Sequence, residues 1–256
     1  MRIVIKIGTS TLTHKNGCVN IRRIETLCKV ISDMKNAGND VVMVSSGAIG
    51  MGVGKLHLKS RPSDIAGKQA AAAVGQCELM YIYDKEFRNH NHTVAQILLT
   101  APDLKTEDRN EKFKNTMDKL LEFGVIPIIN ENDTVATDEI VFGDNDTLSA
   151  MVAVSIKADL LVLMSDIDGL YTADPHKDPD AKLIKEVREL SNDIMALGGG
   201  AGSELGTGGM VTKLRAAKIA AEDGCDMIIM NGSFPELLYN IVDNEPVGTR
   251  FYAKNG

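Results

Sequence analysis

Two lysines stand where a bound anion would explain them. Lys213 closes the stretch GGGAGSELGTGGMVTK (residues 198–213), in which seven of sixteen residues are glycine. Ordering so many glycines costs backbone entropy, and no packed helix or strand is built that way. The segment after the last glycine, MVTKLRAAKIAAE, is a strong helix former. The run therefore leads into a helix N-terminus, where unpartnered amides and the positive end of the macrodipole suit an anion. Lys213, in the first turn or just past it, adds a full charge to those partial ones. A phosphate cradle is one reading; a surface loop before an ordinary helix is the other. Neither the Gly-Lys-Ser/Thr of a P-loop nor a G-x-G-x-x-G register is present, so a nucleotide bound here needs a different architecture. Lys6 sits near the end of the β-branched run RIVIKI (residues 2–7). A lysine there is costly to bury unless an anion meets it, and the carboxyl edge of a parallel sheet is where α/β proteins hold ligands. A lysine on an edge strand, snorkelling to water, would look the same.

Polar residues recur after other apolar runs. DVVMV (residues 40–44) is followed by SSGAIGMGVG, where Ser46 offers a hydroxyl and Gly47 a closely approachable backbone. The same glycines would let a helix pack tightly on a sheet. The richest block is NENDTVATDEIVFGDNDTLSAM (residues 130–151), with Asn130, Glu131, Asn132 and Asp133 after one apolar run and Asp144, Asn145 and Asp146 entering a helix. Two such clusters supply several acceptors, suited to an ammonium group or to Mg2+ held with phosphate. An Asx-rich hairpin over residues 138–143 and a plain helix cap at Asp146 compete with that reading. DLLVLM (residues 159–164) closes with Ser165 and Asp166. His90 and His92 lie in a polar loop, and no protein metal site is expected.

These residues need a frame. Apolar patterning predicts strands over residues 2–7, 40–44, 93–99, 125–129, 159–164, 225–230 and 248–253. It predicts helices over 21–36, 63–88, 108–123, 210–222 and, shorter, 235–242. Asn20 is placed to cap the first helix, and Gly38 to end it. The helix over 63–88 is rich in alanine and reads as core or as a subunit interface. Strands alternating with helices across short polar joints predict an α/β three-layer sandwich in one domain, residues 1–256. Its central sheet is mostly parallel and covered by helices on both faces. Nearly every polar cluster comes after the carboxyl end of a strand, so a single site is expected.

Composition narrows the partners. A chain of 256 residues, 44% hydrophobic and 25% charged, can bury a sizeable core. Its net charge of −7 argues against nucleic acid or an anionic membrane as the main partner. No apolar run reaches membrane-spanning length, and residues 1–7 lack the apolar segment of a signal peptide. Cys18, Cys28, Cys77 and Cys225 form no C-x-x-C pair. Reduced thiols and a cytoplasmic location are expected.

The blocks IKIGTS (residues 5–10), VSSGAIGMG (44–52), INENDTVAT (129–137), GDNDTLSA (143–150), SDIDGLYTADP (165–175) and GTGGMVTK (206–213) resemble, in order and spacing, the glutamate 5-kinases of the amino acid kinase family. NENDTVAT and GDNDTLSA set the resemblance apart from aspartate, acetylglutamate, carbamate and uridylate kinases. It implies the amino acid kinase fold and transfer of the ATP γ-phosphoryl group, with Mg2+, to the side-chain carboxylate of L-glutamate, the first step of proline biosynthesis. By the same resemblance, Lys6 and Lys213 contact the phosphates and the transferring group, and Asp146 organises both lysines. Ser46, Gly47, Asp133, Asp144 and Asn145 are expected to hold glutamate. Ser165 and Asp166, with Thr207, Gly208, Gly209, Met210, Val211, Thr212 and Lys213, are expected to line the nucleotide site. The N-terminal part would serve mainly the amino acid and the C-terminal part mainly the nucleotide. Feedback inhibition by proline and a homodimer or homotetramer are further implications. Ser165 stands where the family often has threonine, which keeps the hydroxyl. Many members continue into a C-terminal PUA domain; none is expected here, and its properties are not carried over. Another kinase of the same fold is one alternative, and a non-catalytic sensor of nucleotide or amino acid is the other. Two lysines suited to a transferring phosphoryl group weigh against the sensor.

Overall fold

The computed structural model describes residues 1–14, 18–135, 145–199 and 209–254. Its strands are β1 (Arg2–Ile7), β2 (Asp40–Ser45), β3 (Val94–Leu99), β4 (Ile126–Glu131), β5 (Leu160–Ser165), β6 (Glu186–Val187), β7 (Asp226–Asn231) and β8 (Thr249–Phe251). They join in one eight-stranded sheet of order β3-β4-β2-β1-β5-β7-β8-β6. Pairing is parallel from β3 across to β7, while β8 runs antiparallel to β7 and parallel to β6. The helices are α1 (Thr9–Leu12), α2 (Ile21–Asn36), α3 (Ala48–Lys55), α4 (Ile65–Arg88), α5 (Ala101–Lys105), α6 (Glu107–Glu122), α7 (Asn145–Ser155), α8 (Asn192–Ala196), α9 (Met210–Glu222) and α10 (Leu238–Val242).

Strand alternation sorts the core into two layers. Ile3, Ile5 and Ile7 of β1 pack with Leu27 and Ile31 of α2 and with Leu79 and Phe87 of α4. Val4 packs on the opposite face, with Leu148 and Val152 of α7 and Leu214 and Ala217 of α9. Each fully buried Ile or Leu contributes about 1.5–3 kcal/mol, so both faces are held firmly. Lys6 shares the parity of Val4 and is therefore directed to the α7/α9 face. Because β2 and β5 flank it on either side, β1 is not an edge strand, and the snorkelling reading of Lys6 fails.

Local sequence accounts for most boundaries. The Asn20 side chain accepts from the Arg23 amide at 3.2 Å and starts α2; Gly38, at φ +89°, lets the chain turn out of it. Asp64 caps α4 through the Gly67 amide at 2.7 Å, so that helix begins two residues later than residue 63. Strand β4 runs on through Glu131, which places Asn130 and Glu131 inside the strand rather than after it.

The glycines after β2 serve a different contact from the one expected. They build α3, and a Cβ on Gly52 would strike the Ala71 carbonyl while one on Gly75 would strike that of Ala48. Close approach is thus helix on helix, α3 on α4, rather than helix on sheet. One stripe of small residues on α4 is used inside the subunit in this way.

Candidate active site

The register of β1 delivers Lys6 to the head of the sheet. Lys6 pairs with Val44 of β2 and Leu163 of β5, and the chain leaves those two neighbours on opposite sides of β1. That reversal of strand order opens a crevice at the carboxyl edge, the usual ligand position in such sheets. The first turns of α7 and α9 meet there.

Asp146, in the first turn of α7, is fully buried. Its Oδ1 lies 2.6 Å from Lys6 Nζ and its Oδ2 lies 3.1 Å from Lys213 Nζ. The two lysines are only 7% and 4% exposed. Thr212 Oγ1, 3.0 Å from Asp146 Oδ2 and 2.6 Å from the Gly209 carbonyl, ties the start of α9 to the same carboxylate. Burial would raise the Asp146 carboxyl, but the Lys6 and Lys213 charges and their hydrogen bonds outweigh it and hold it below the usual carboxylate range. A first-turn acid also complements the helix dipole, so a cap-like position and a role between two lysines coexist in one residue. Gly209 precedes α9 and has no side chain to cap it, and the Thr212 amide donates to the Gly209 carbonyl at 3.1 Å.

Beside this cluster, Ser46 and Asn145 meet. Asn145 Nδ2 donates to Ser46 Oγ at 2.8 Å and lies 3.2 Å from the Ser45 carbonyl and 3.1 Å from Asn130 Oδ1. Gly47 comes next at φ +101°, a conformation that favours glycine. The arrangement unites two lysines, a carboxylate and a helix N-terminus with a pocket of neutral donors and acceptors. Chemically that suits an anion moving between two bound molecules.

A family model described as the amino acid kinase family matches residues 1–231. The chain belongs to the amino acid kinase family. Among relatives of this amino acid kinase is a protein of Clostridium perfringens named glutamate 5-kinase, 56% identical, with 100% of this chain and 96% of the relative covered. A second glutamate 5-kinase, from Clostridium acetobutylicum, is 54% identical over 99% of this chain and 95% of its own. The fold is that of carbamate kinase from Giardia lamblia bound to AMP-PNP, at TM-score 0.69 and 18% identity, covering 99% and 98% of the two chains.

Other expected residues of this amino acid kinase fall around the same edge. Ser165 ends β5 and its hydroxyl lies 3.2 Å from Asp166 Oδ1. Met210 and Val211 open α9. Asp133 lies two residues past β4; burial raises its carboxyl above the ordinary value against the pull of Arg61. Asp144, Thr207, Gly208 and the hairpin expected over residues 138–143 lie outside the described residues. Among the described residues, no three His, Cys, Asp or Glu side chains converge as metal ligands, and no helix is long and apolar enough to cross a membrane.

Two further groups adjoin this site: sequence reasoning gives Gln76 no role and counts Glu131 only among a cluster of acceptors. Gln76 lies inside the alanine-rich α4, and Glu131 is half-buried at the end of β4. Burial and then the Asp133 charge push the Glu131 carboxyl up to about 7. The folded state therefore holds this proton between the ordinary 4.5 and about 7, so the stability that Glu131 contributes is full below that window and is lost as pH rises through it. Glu131→Gln is expected to match the wild type in urea midpoint at pH 4.5 and exceed it at pH 8. Equal displacement at both pH values would show that ionisation at this position is not linked to folding.

Proposed function

We propose that the chain phosphorylates the side-chain carboxylate of L-glutamate with ATP to give L-glutamyl 5-phosphate, the first step of proline biosynthesis. The observation that carries this reading is the convergence of Lys6 and Lys213 on Asp146 beside the Ser46–Asn145 pocket. The names of the two clostridial relatives support the choice of acceptor.

A carboxylate with an ordinary value near 4.3 is already ionised at pH 7, so the nucleophile needs no general base. One carboxylate oxygen bonds to the γ-phosphorus as the bond to the β,γ-bridging oxygen breaks, and ADP leaves with that electron pair. The obstacle is the meeting of two anions. Alignment and charge neutralisation therefore carry the catalysis. Lys6 and Lys213, oriented by Asp146, serve the transferring group; the α9 amides, with Thr207, Gly208, Gly209, Met210, Val211 and Thr212, serve the phosphates, and Ser165 and Asp166 line the nucleotide. Mg2+ carried with ATP would supply further neutralisation of the phosphate charge.

Ser46, Gly47, Asn145, Asp133 and Asp144 hold glutamate, with Asp144 a further contact to its amino group. The N-terminal part of the single domain thus serves the amino acid and the C-terminal part the nucleotide. Asp133→Ala is expected to raise the glutamate KM by at least about tenfold, the scale of losing one charge-assisted hydrogen bond, and the ATP KM much less. Equal changes for both substrates would make Asp133 structural.

A homo-oligomer belongs to the same proposal. Ala73, Val74, Cys77 and Tyr81 of α4 line a surface hollow beside the Lys55–Glu78 ion pair that joins α3 to α4, and Leu56, Leu58 and Ile65 are exposed as well; exposed apolar side chains of that kind suit a second copy. Proline, as a feedback inhibitor, would act at or near the glutamate pocket, and unchanged turnover in millimolar proline removes it. Cys28, Cys77 and Cys225 are free thiols, which suits the reducing cytoplasm.

The deciding experiment offers Mg-ATP with L-glutamate, N-acetyl-L-glutamate, L-aspartate or no acceptor, and traps any acyl phosphate with hydroxylamine. Hydroxamate from L-glutamate alone is the expected result. Turnover with another acceptor would discard the glutamate assignments, and ATP binding without turnover would leave a sensor.

A further inference from the structure

Asn130 sits where two layers of the fold meet. Its parity in β4 is that of Ile126 and Ile128, so it faces the α4 layer, yet its side chain also reaches Asn145 of α7. Asn130 is 2% exposed and Gln76 of α4 is 8% exposed. Asn130 Nδ2 donates to Gln76 Oε1 at 2.9 Å, while Asn130 Oδ1 accepts from Asn145 Nδ2 at 3.1 Å and from the Glu131 amide at 2.9 Å. Asn145 Nδ2 then donates to Ser46 Oγ at 2.8 Å.

The polarity of this relay matters because a side-chain amide exchanges donor for acceptor when it flips. Three points agree on one polarity: the Ser45 carbonyl, the Glu131 amide and Gln76 Oε1. Only the last is a side chain, and only it comes from α4. Without it, Asn130 Nδ2 would be buried with no acceptor, and rotation toward the pocket would relieve it while withdrawing Oδ1 from Asn145. Gln76 carries a cost of its own, since its Nε2 is buried without a partner among the described residues. An apolar residue would avoid that cost, so the glutamine's contribution is its carbonyl. Gly75, next to it, is also a point of close approach to α3, which begins directly after Ser46 and Gly47.

We propose that Gln76 is a positioning residue for the acceptor pocket: its carbonyl holds Asn130, and through Asn130 holds Asn145 and Ser46 in the orientation that receives the amino acid. This rests on the glutamate reading above. Gln76→Met keeps the side-chain length and removes the acceptor; Gln76→Glu keeps an acceptor oxygen. In steady-state assays Gln76→Met is expected to raise the L-glutamate KM about tenfold with the ATP KM within about twofold, and Gln76→Glu at pH 6 to stay within about threefold of wild type for both. A glutamate KM unchanged in Gln76→Met, or both KM values raised together, overturns the proposal. If Gln76→Met does not fold, Gln76→Glu decides: retention supports the relay and equal loss for both substrates refutes it. Wild-type protein that forms no hydroxamate from L-glutamate would instead refute the substrate. The relay is then read from the side-chain amide 15N–1H signals of Asn130 and Asn145, which shift in the Gln76 variants if coupled and stay in place if not.

Discussion

Asp146→Asn is expected to cost both the fold and the reaction, and to be partly repaired by an anion. In the native protein the carboxylate lies between two buried ammonium groups at 2.6 and 3.1 Å. The asparagine has the same shape but no charge, and it must turn an NH2 group toward one of the two lysines. Breaking a buried ion pair by removing one partner costs about 3–5 kcal/mol, a large part of the roughly 5–15 kcal/mol that holds a typical domain together. Urea unfolding at pH 7 should register a loss on that scale. Sulfate or Mg-ATP, binding where the carboxylate charge has gone, should then raise the midpoint of the variant more than that of the wild type. A variant as stable as the wild type in the absence of any anion would mean that the carboxylate is not what balances the lysines.

The same carboxylate predicts an acid limb. Its folded-state value lies below the ordinary 3.8, so the stability it contributes is present above that value and is lost as pH falls below it. The wild type should lose stability steeply in that range and Asp146→Asn should not share this component. This is opposite in sign to the Glu131 contribution, which fades between 4.5 and about 7, and the two variants separate the limbs.

How far the site could be seen in advance depended on whether a residue's partner was near it in the chain. Lys6 was visible because a charge in a β-branched run is locally anomalous, and alternation alone gave it the parity of Val4. The position of α9 came from its composition, and its bounds match the structure. Asp146 is different: within its own segment it has the position of an ordinary helix cap, and its two lysines are 140 and 67 residues away. Only the resemblance joined the three. Gln76 had a weaker signal, a polar residue in the buried stripe of Ala72 and Leu79, and its partner is decided by how α4 lies over β4. Helix α3 was hidden for another reason. Gly50, Gly52 and Gly54 lower its intrinsic helix propensity, and contact with α4 at Gly52 and Gly75 supplies what propensity does not. The three-residue β8 is too short for periodicity to reveal its antiparallel direction.

Lys213→Ala is expected to lower kcat by at least about 10²-fold, the scale on which losing one preorganised charge-stabilising donor is felt. Lys213 is buried in the second half of the first turn of α9 and its ammonium is held by Asp146, so it needs no reorganisation when negative charge develops on the leaving ADP as the phosphoryl group transfers. That interaction grows toward the transition state. The loss should therefore appear in kcat, with the ATP KM changed far less. Lys213→Arg should not restore activity, because a planar guanidinium in a 4%-exposed site cannot reproduce a compact ammonium. Lys6→Ala should resemble Lys213→Ala, and the double variant should lose much less than the product of the two, since both lysines depend on one carboxylate. Near-normal turnover in a folded Lys213→Ala protein would remove this lysine from the chemistry. Multiplicative losses in the double variant would mean that Lys6 and Lys213 act on separate events, one on the bound nucleotide and one on the transferring group, rather than as a unit organised by Asp146.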